Sequence, residues 1–219
     1  MPRTHWCAAI IANRLQRKSD GRPAPPDAAG RLRLWLLLGL AGASIAVWAA
    51  GEAATLWLRY ERLQVLDGEL WRLLTAHLVH LDGRHLALNL TGLVLIAALF
   101  PSDYSGAEWT WVGLGSAAAI AFGFLVLEPE LEWYVGLSGV LHGLLAAGAI
   151  SWWRRQPPLM AIALTAGLVG KLIYESVAPG SLASGWPVVV SAHLYGAIGG
   201  AVVALMLQAG SAVTGEHSV

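Results

Sequence analysis

Four polar side chains in this 219-residue chain have the types that acyl-transfer chemistry needs: Ser138, His193, His85 and Asn89. Ser138 lies in Gly136-Leu137-Ser138-Gly139, where the glycines remove bulk around the hydroxyl and let another backbone approach closely. A serine hydroxyl becomes an effective nucleophile once a base takes its proton, and His193 is a suitable base. His85 and Asn89, spaced i and i+4, share one helix face and can aim donors at a single point. A tetrahedral intermediate needs such donors as its oxygen gains charge. No acid is placed in the sequence to orient His193 as in a Ser-His-Asp triad, so the expectation is a dyad. His142 is a further polar residue in the run that holds Ser138.

The elements that must position these groups are apolar. The chain is 56% hydrophobic and 13% charged, with mean hydropathy +0.57, whereas soluble domains carry about 25% charged residues. Its 14 basic and 14 acidic residues cancel. This argues against a cytosolic globular enzyme, a disordered chain and a nucleic-acid binder with a basic footprint. The single Cys7 excludes an internal disulfide framework and a cysteine-based metal cluster. Apolar runs at about 32–50, 85–100, 108–127, 136–153, 159–178 and 187–208 approach the ~20 residues that a bilayer core requires. The predicted class is therefore an all-α polytopic membrane protein with six transmembrane helices. Residues 1–31 read as a flexible cytoplasmic tail, 32–210 as the catalytic bundle and 211–219 as a C-terminal tail. The run Trp6 to Ala12 is too short for a signal-peptide core. The long first loop, 51–84, contains an amphipathic segment around Leu70 to Leu78 that suggests an interfacial helix.

Orientation follows from the basic residues. Seven lie in or beside the N-terminal tail and two, Arg154 and Arg155, between spans four and five. Four (Arg59, Arg62, Arg72 and Arg84) lie in the first loop, and Lys171 falls within a span. A split of nine against four places the N-terminus in the cytoplasm. Spans two, four and six then start at the outer face, and at 1.5 Å per residue His85, Ser138 and His193 agree in depth to within roughly 10 Å. Trp35, Trp48, Trp109, Trp111, Trp133, Trp152, Trp153 and Trp186 fall at or near span ends, as in an aromatic belt.

Other buried polar groups have simpler readings. Lys171 and Glu175, at i and i+4, neutralise each other; a Ser–Lys dyad is less favoured because Lys171 is near mid-span and has that partner. His77, His80 and His85 lack the spacing of a metal-binding helix motif, so neither metal nor cofactor is expected. Arg72, beside Trp71, reads as an interface anchor for the first loop.

At these residues the chain resembles the rhomboid family of intramembrane serine proteases. The matching segments are Trp71-Arg72, His80, His85-x-x-x-Asn89, Gly136-x-Ser138-Gly139 and Ala192-His193-x-x-Gly196, in family order. The resemblance implies Ser138 as nucleophile, His193 as general base, and His85 and Asn89 as oxyanion donors alongside the serine N–H. His142 replaces an aromatic residue, often Tyr, that stacks on the catalytic histidine in many bacterial members. With the short six-span chain, that replacement looks like the rhombosortase subfamily. It implies substrates with one transmembrane span and a C-terminal Gly-Gly, hydrophobic, basic signal, processed at a bacterial inner membrane with the site facing outward. Whether His142 stacks on His193 or shares its proton stays open, as does resolution of the acyl-enzyme by water or by an amine. A general bacterial rhomboid, a catalytically silent helix-binding relative and a transporter are the rival readings. Beyond the lipid bilayer and such substrates no partner is expected, nucleic acid included.

Overall fold

The computed structural model describes residues 28–177 and 189–215. Cys7, Trp186, most of the predicted N-terminal tail and the last four residues lie outside them. Helix α1 is Ala28–Ala49, so it begins inside the segment read as tail. The first loop is more ordered than one interfacial helix. It holds α2 (Glu52–Leu58), a two-residue strand β1 (Tyr60–Glu61), α3 (Arg62–Leu66) and α4 (Arg72–Thr75), followed by a 3-10 turn at Ala76–Leu78. Helix α5 is Gly83–Leu99 and α6 is Gly106–Phe122, extended by a π-turn at Gly123–Leu127. Strand β2 (Trp133–Tyr134) pairs antiparallel with β1, Tyr60 opposite Tyr134. Helices α7 (Ser138–Arg155), α8 (Pro158–Val177) and α9 (Val190–Gly215) complete the chain.

Each apolar run of the sequence is thus a helix. Among the described residues, four helices are long and apolar enough to cross a membrane: residues 30–49, 106–127, 158–177 and 190–210. Helix α5, with 17 residues, is shorter. Helix α7 is rich in glycine and alanine and sits at the centre, packed chiefly against α9 and also against α6, α8 and α5. Large apolar side chains such as Trp35, Val94, Trp111, Phe122, Leu159 and Met206 point out of the bundle. An outward apolar surface around a small-residue centre suits lipid as the surrounding solvent.

Small residues set the central contact. A Cβ at Gly196 would overlap the Gly139 carbonyl, and one at Gly200 that of Gly143. The two four-residue glycine spacings therefore meet backbone to backbone. At the opposite end of α7 from Ser138, Phe100 packs on Trp152 and Trp109, and Trp109 on Tyr104. Trp152 is buried and Trp109 is partly buried. These two indoles close the core, which corrects the assignment of all the span-end tryptophans to an interfacial belt. Trp35, Trp48, Trp111 and Trp153 do face outward.

Candidate active site

His85, Ser138 and His193 all stand in the first turn of their helices. His85 is the third residue of α5, where its N–H donates to the Asp82 side chain at 2.8 Å. That N-cap bond fixes where the helix starts and hence where the imidazole stands. Ser138 opens α7, whose first intrahelical hydrogen bond runs from Leu141 N–H to Leu137 O. The Ser138 N–H is therefore not spent within the helix. His193 is the fourth residue of α9. Three positive helix ends thus converge on one place, a field that favours an anion.

The turn before Ser138 is held from three sides. Gly136 has φ +125°, a region that side chains disfavour. Its N–H donates to Ala76 O at 3.0 Å, and its carbonyl accepts from Tyr134 Oη at 2.7 Å and His77 Nδ1 at 3.3 Å. A Cβ at this position would lie 3.1 Å from His85 Nε2 and 3.9 Å from Ser138 Oγ. The bare glycine thus leaves a small space bounded by the hydroxyl and an imidazole edge. The first loop builds one wall of it. Burial pushes His77 down to about 4, against the raising effect of its Gly136 contact, so the ring is neutral and donates from Nδ1. Burial also lowers His80 to about 4, with the neighbouring His85 adding to the effect, and raises the Tyr134 hydroxyl.

His193 Nε2 lies 2.8 Å from Ser138 Oγ. On its other side Nδ1 lies 2.9 Å from Glu175 Oε2, and Glu175 Oε1 lies 2.5 Å from Lys171 Nζ. The expectation that no acid stands behind His193 is therefore overturned. The sequence spacing did place Glu175 beside Lys171, but a carboxylate has two oxygens and the second one reaches across to α9. His142 stacks on His193 with ring centres 4.1 Å apart and planes 16° from parallel. Its Nδ1 donates to Ser138 O at 2.7 Å. Parallel rings cannot share an in-plane hydrogen bond, so this geometry is stacking and not proton sharing.

His85 Nδ1 accepts the Leu81 N–H at 3.3 Å, which leaves Nε2 as the protonated nitrogen of the neutral ring. Asn89 is buried, and its Nδ2 donates to His85 O at 3.0 Å. The amide is thus turned toward its own helix. His80 packs edge-on against His85 at 5.0 Å and donates from Nδ1 to Leu78 O. Arg72 is buried, paired to Glu69 and donating to Leu56 O and Arg59 O. It ties the loop helices together from inside, in place of the surface anchoring expected of it. The missed contributors are Glu175, His77 and Tyr134. Glu175 carried the signal of a charged residue within an apolar run, whereas His77 and Tyr134 lie in loop segments where such residues are ordinary.

His142, Glu175 and His193 place ligand-type atoms within 4.8 Å of one another. Both nitrogens of His193 and the Nδ1 of His142 already have hydrogen-bond partners, so a cation bound through His193 would have to displace its Ser138 or its Glu175 contact. Among the described residues a cavity of about 500 Å³ runs from Ser138 and His193 between α5, α7 and α8. Its walls are largely apolar, with Leu88, Leu95 and Leu99 on α5 and Leu141 and Leu145 on α7.

The Rhomboid domain family model matches residues 67–210. The chain is also 32% identical over 111 residues to YdcA of Bacillus subtilis, a protein named as a candidate rhomboid protease. The alignment covers 51% of this chain and 53% of that protein, so it spans about half of the relative's length.

Proposed function

The chain belongs to the rhomboid family, and from that premise we propose that it is an intramembrane serine endopeptidase with Ser138 as nucleophile and His193 as general base. The observation that carries the reading is the 2.8 Å contact between Ser138 Oγ and His193 Nε2, made across two helices inside an apolar bundle. Such a pair can transfer a proton during attack. Ser138 Oγ adds to the scissile carbonyl as its proton passes to His193 Nε2. The C–N bond then breaks as that proton moves to the leaving amine, leaving an ester on Ser138. A water deprotonated by the same imidazole resolves the ester to a carboxylate. The Ser138 N–H and the His85 Nε2–H stabilise the oxyanion, and Asn89 joins them once its amide turns from the His85 carbonyl.

The substrate in this reading is a single-span membrane protein. A closed helix shields its own carbonyls in lipid, so the span must unwind locally before attack. A Gly-Gly pair lowers that cost through weak helix propensity. The apolar cavity beside Ser138 supports an apolar peptide as ligand, and the stacked His142 supports the rhombosortase-like variant with its Gly-Gly C-terminal signal. The same reading puts the protein in a bacterial inner membrane as a six-span bundle, N-terminus in the cytoplasm and site toward the outer face.

The test combines a fluorophosphonate probe with a reporter carrying a Gly-Gly, hydrophobic, basic tail. Labelling and cleavage are expected in the parent protein and absent in Ser138→Ala. Product mass reports whether water or an amine resolved the ester. Reporter processing unchanged in Ser138→Ala would overturn the mechanism, and equal processing when Gly-Gly is replaced by Leu-Leu would overturn the specificity.

A further inference from the structure

Glu175 is a buried carboxylate that a two-residue mechanism leaves unused. It stands in the last turns of α8, 5% exposed, with one oxygen on Lys171 Nζ and the other on His193 Nδ1. We propose that Glu175, anchored by Lys171, is a positioning residue that completes a Ser138–His193–Glu175 triad. The inference rests on the serine-protease reading above.

The chemistry follows from what each atom can do. An ionised carboxylate only accepts, so the hydrogen in the 2.9 Å contact is on His193 Nδ1. That fixes the tautomer in which Nε2 keeps its lone pair toward Ser138 Oγ, 2.8 Å away. When His193 takes the serine proton, the new imidazolium lies directly against an anion. This is the role of the acid in a serine-protease triad, orienting the base and stabilising its charged form without itself taking the proton.

Lys171 answers a separate difficulty. A lone carboxylate among apolar helices is costly to keep ionised. The Lys171 ammonium, i and i+4 on the same helix, makes the pair neutral overall and leaves the outer oxygen for His193. The groups around His193 are Ser138 and His142 from α7, Glu175 from α8 with Lys171 bonded to its far oxygen, and His85 from α5. Glu175 is the anion of this set. Its removal and the removal of Lys171 should therefore move the acid limb of the rate profile in opposite directions. Without Glu175 the imidazolium loses its counter-charge and the limb shifts to lower pH. Without Lys171 the carboxylate ionises less readily, and the repulsion on the imidazolium is gone. Both effects shift the limb to higher pH.

The experiment measures fluorophosphonate labelling rates and reporter cleavage across pH 5–9 for the parent protein, Glu175→Gln and Lys171→Met in detergent and in vesicles. Glu175→Gln is expected to lower kcat at pH 7.5 at least ~30-fold with its acid limb displaced downward. Lys171→Met is expected to keep most of its rate at pH 9 and lose it at neutral pH, its limb displaced upward. A loss below threefold in Glu175→Gln, or an unmoved limb in that variant, overturns the proposal. If Glu175→Gln does not fold, Lys171→Met decides, and an unmoved or downward limb overturns it. Retained labelling in Ser138→Ala would instead overturn the underlying protease reading.

Discussion

At the level of single residues, the molecule spends buried polar groups on holding one turn. Gly136 is gripped by Ala76, Tyr134 and His77, and burial keeps the His77 ring neutral while it donates. Burial lowers its proton affinity to about 4 from an ordinary 6.5. Between those values an unfolded chain binds the proton and the folded one does not, so stability falls as pH drops from about 6.5 toward 4. The loss at the lower limit is roughly 3 kcal/mol for one such histidine. His77→Asn keeps a donor for the Gly136 carbonyl but cannot be protonated. Thermal midpoints in detergent between pH 7 and 4 should therefore decline less steeply in the variant; an identical slope would show that His77 is not the group responsible. The residues that could do chemistry were legible in the sequence because Ser138, His85, Asn89 and His193 interrupt apolar runs. His77 was not, because it lies in a polar loop where a histidine is unremarked. Its importance arises from β1 and β2 pairing the loop to the segment before Ser138.

Between elements, close packing is what makes the site. Gly139 and Gly143 on α7 and Gly196 and Gly200 on α9, each pair four residues apart, pack the two helices backbone to backbone. That contact brings Ser138 and His193 together. The position of Glu175 could not be read from the sequence. Helical periodicity pairs it with Lys171, whereas its contact with His193 depends on how α8 docks beside α9, which no local spacing encodes. The glycine contact makes a graded prediction. Gly196→Ala drives a methyl into the Gly139 carbonyl, and backbone on both helices cannot yield as a side-chain tip would. Destabilisation of about 1–3 kcal/mol is expected, with a matching fall in probe labelling as Ser138 and His193 separate. Gly167→Ala on α8 meets open space within 4 Å, so it should stay within about 1 kcal/mol of the parent. Equal thermal midpoints and labelling rates for the two variants would refute the packing account.

For the molecule as a whole, the zero net charge conceals two uses of basic residues. Arginines on the first-loop side have structural work. Arg62 donates to Phe124 O and Leu125 O, where α6 ends, and Arg72 to Leu56 O and Arg59 O, where α2 ends. Arg59 is paired with Glu61. On the opposite side Arg33 donates to Ala97 O and Pro101 O at the end of α5, and Arg155 to Ser102 O. Internal bonding thus accounts for most of the minority charge, while five basic residues of the majority side, Arg3, Arg14, Arg17, Lys18 and Arg22, precede the described chain. Topology bias counts basic residues near span ends, and here the excess sits beside the first span. The single cysteine gives a direct measurement, since Cys7 belongs to that segment. In intact spheroplasts a membrane-impermeant maleimide is expected to leave Cys7 unlabelled, and to label it after permeabilisation. In a Cys7→Ser background, Glu130→Cys between α6 and β2 should show the reverse, with full labelling before permeabilisation. Labelling of Cys7 in intact spheroplasts would invert the molecule and place Ser138 at the cytoplasmic face, overturning the proposed orientation.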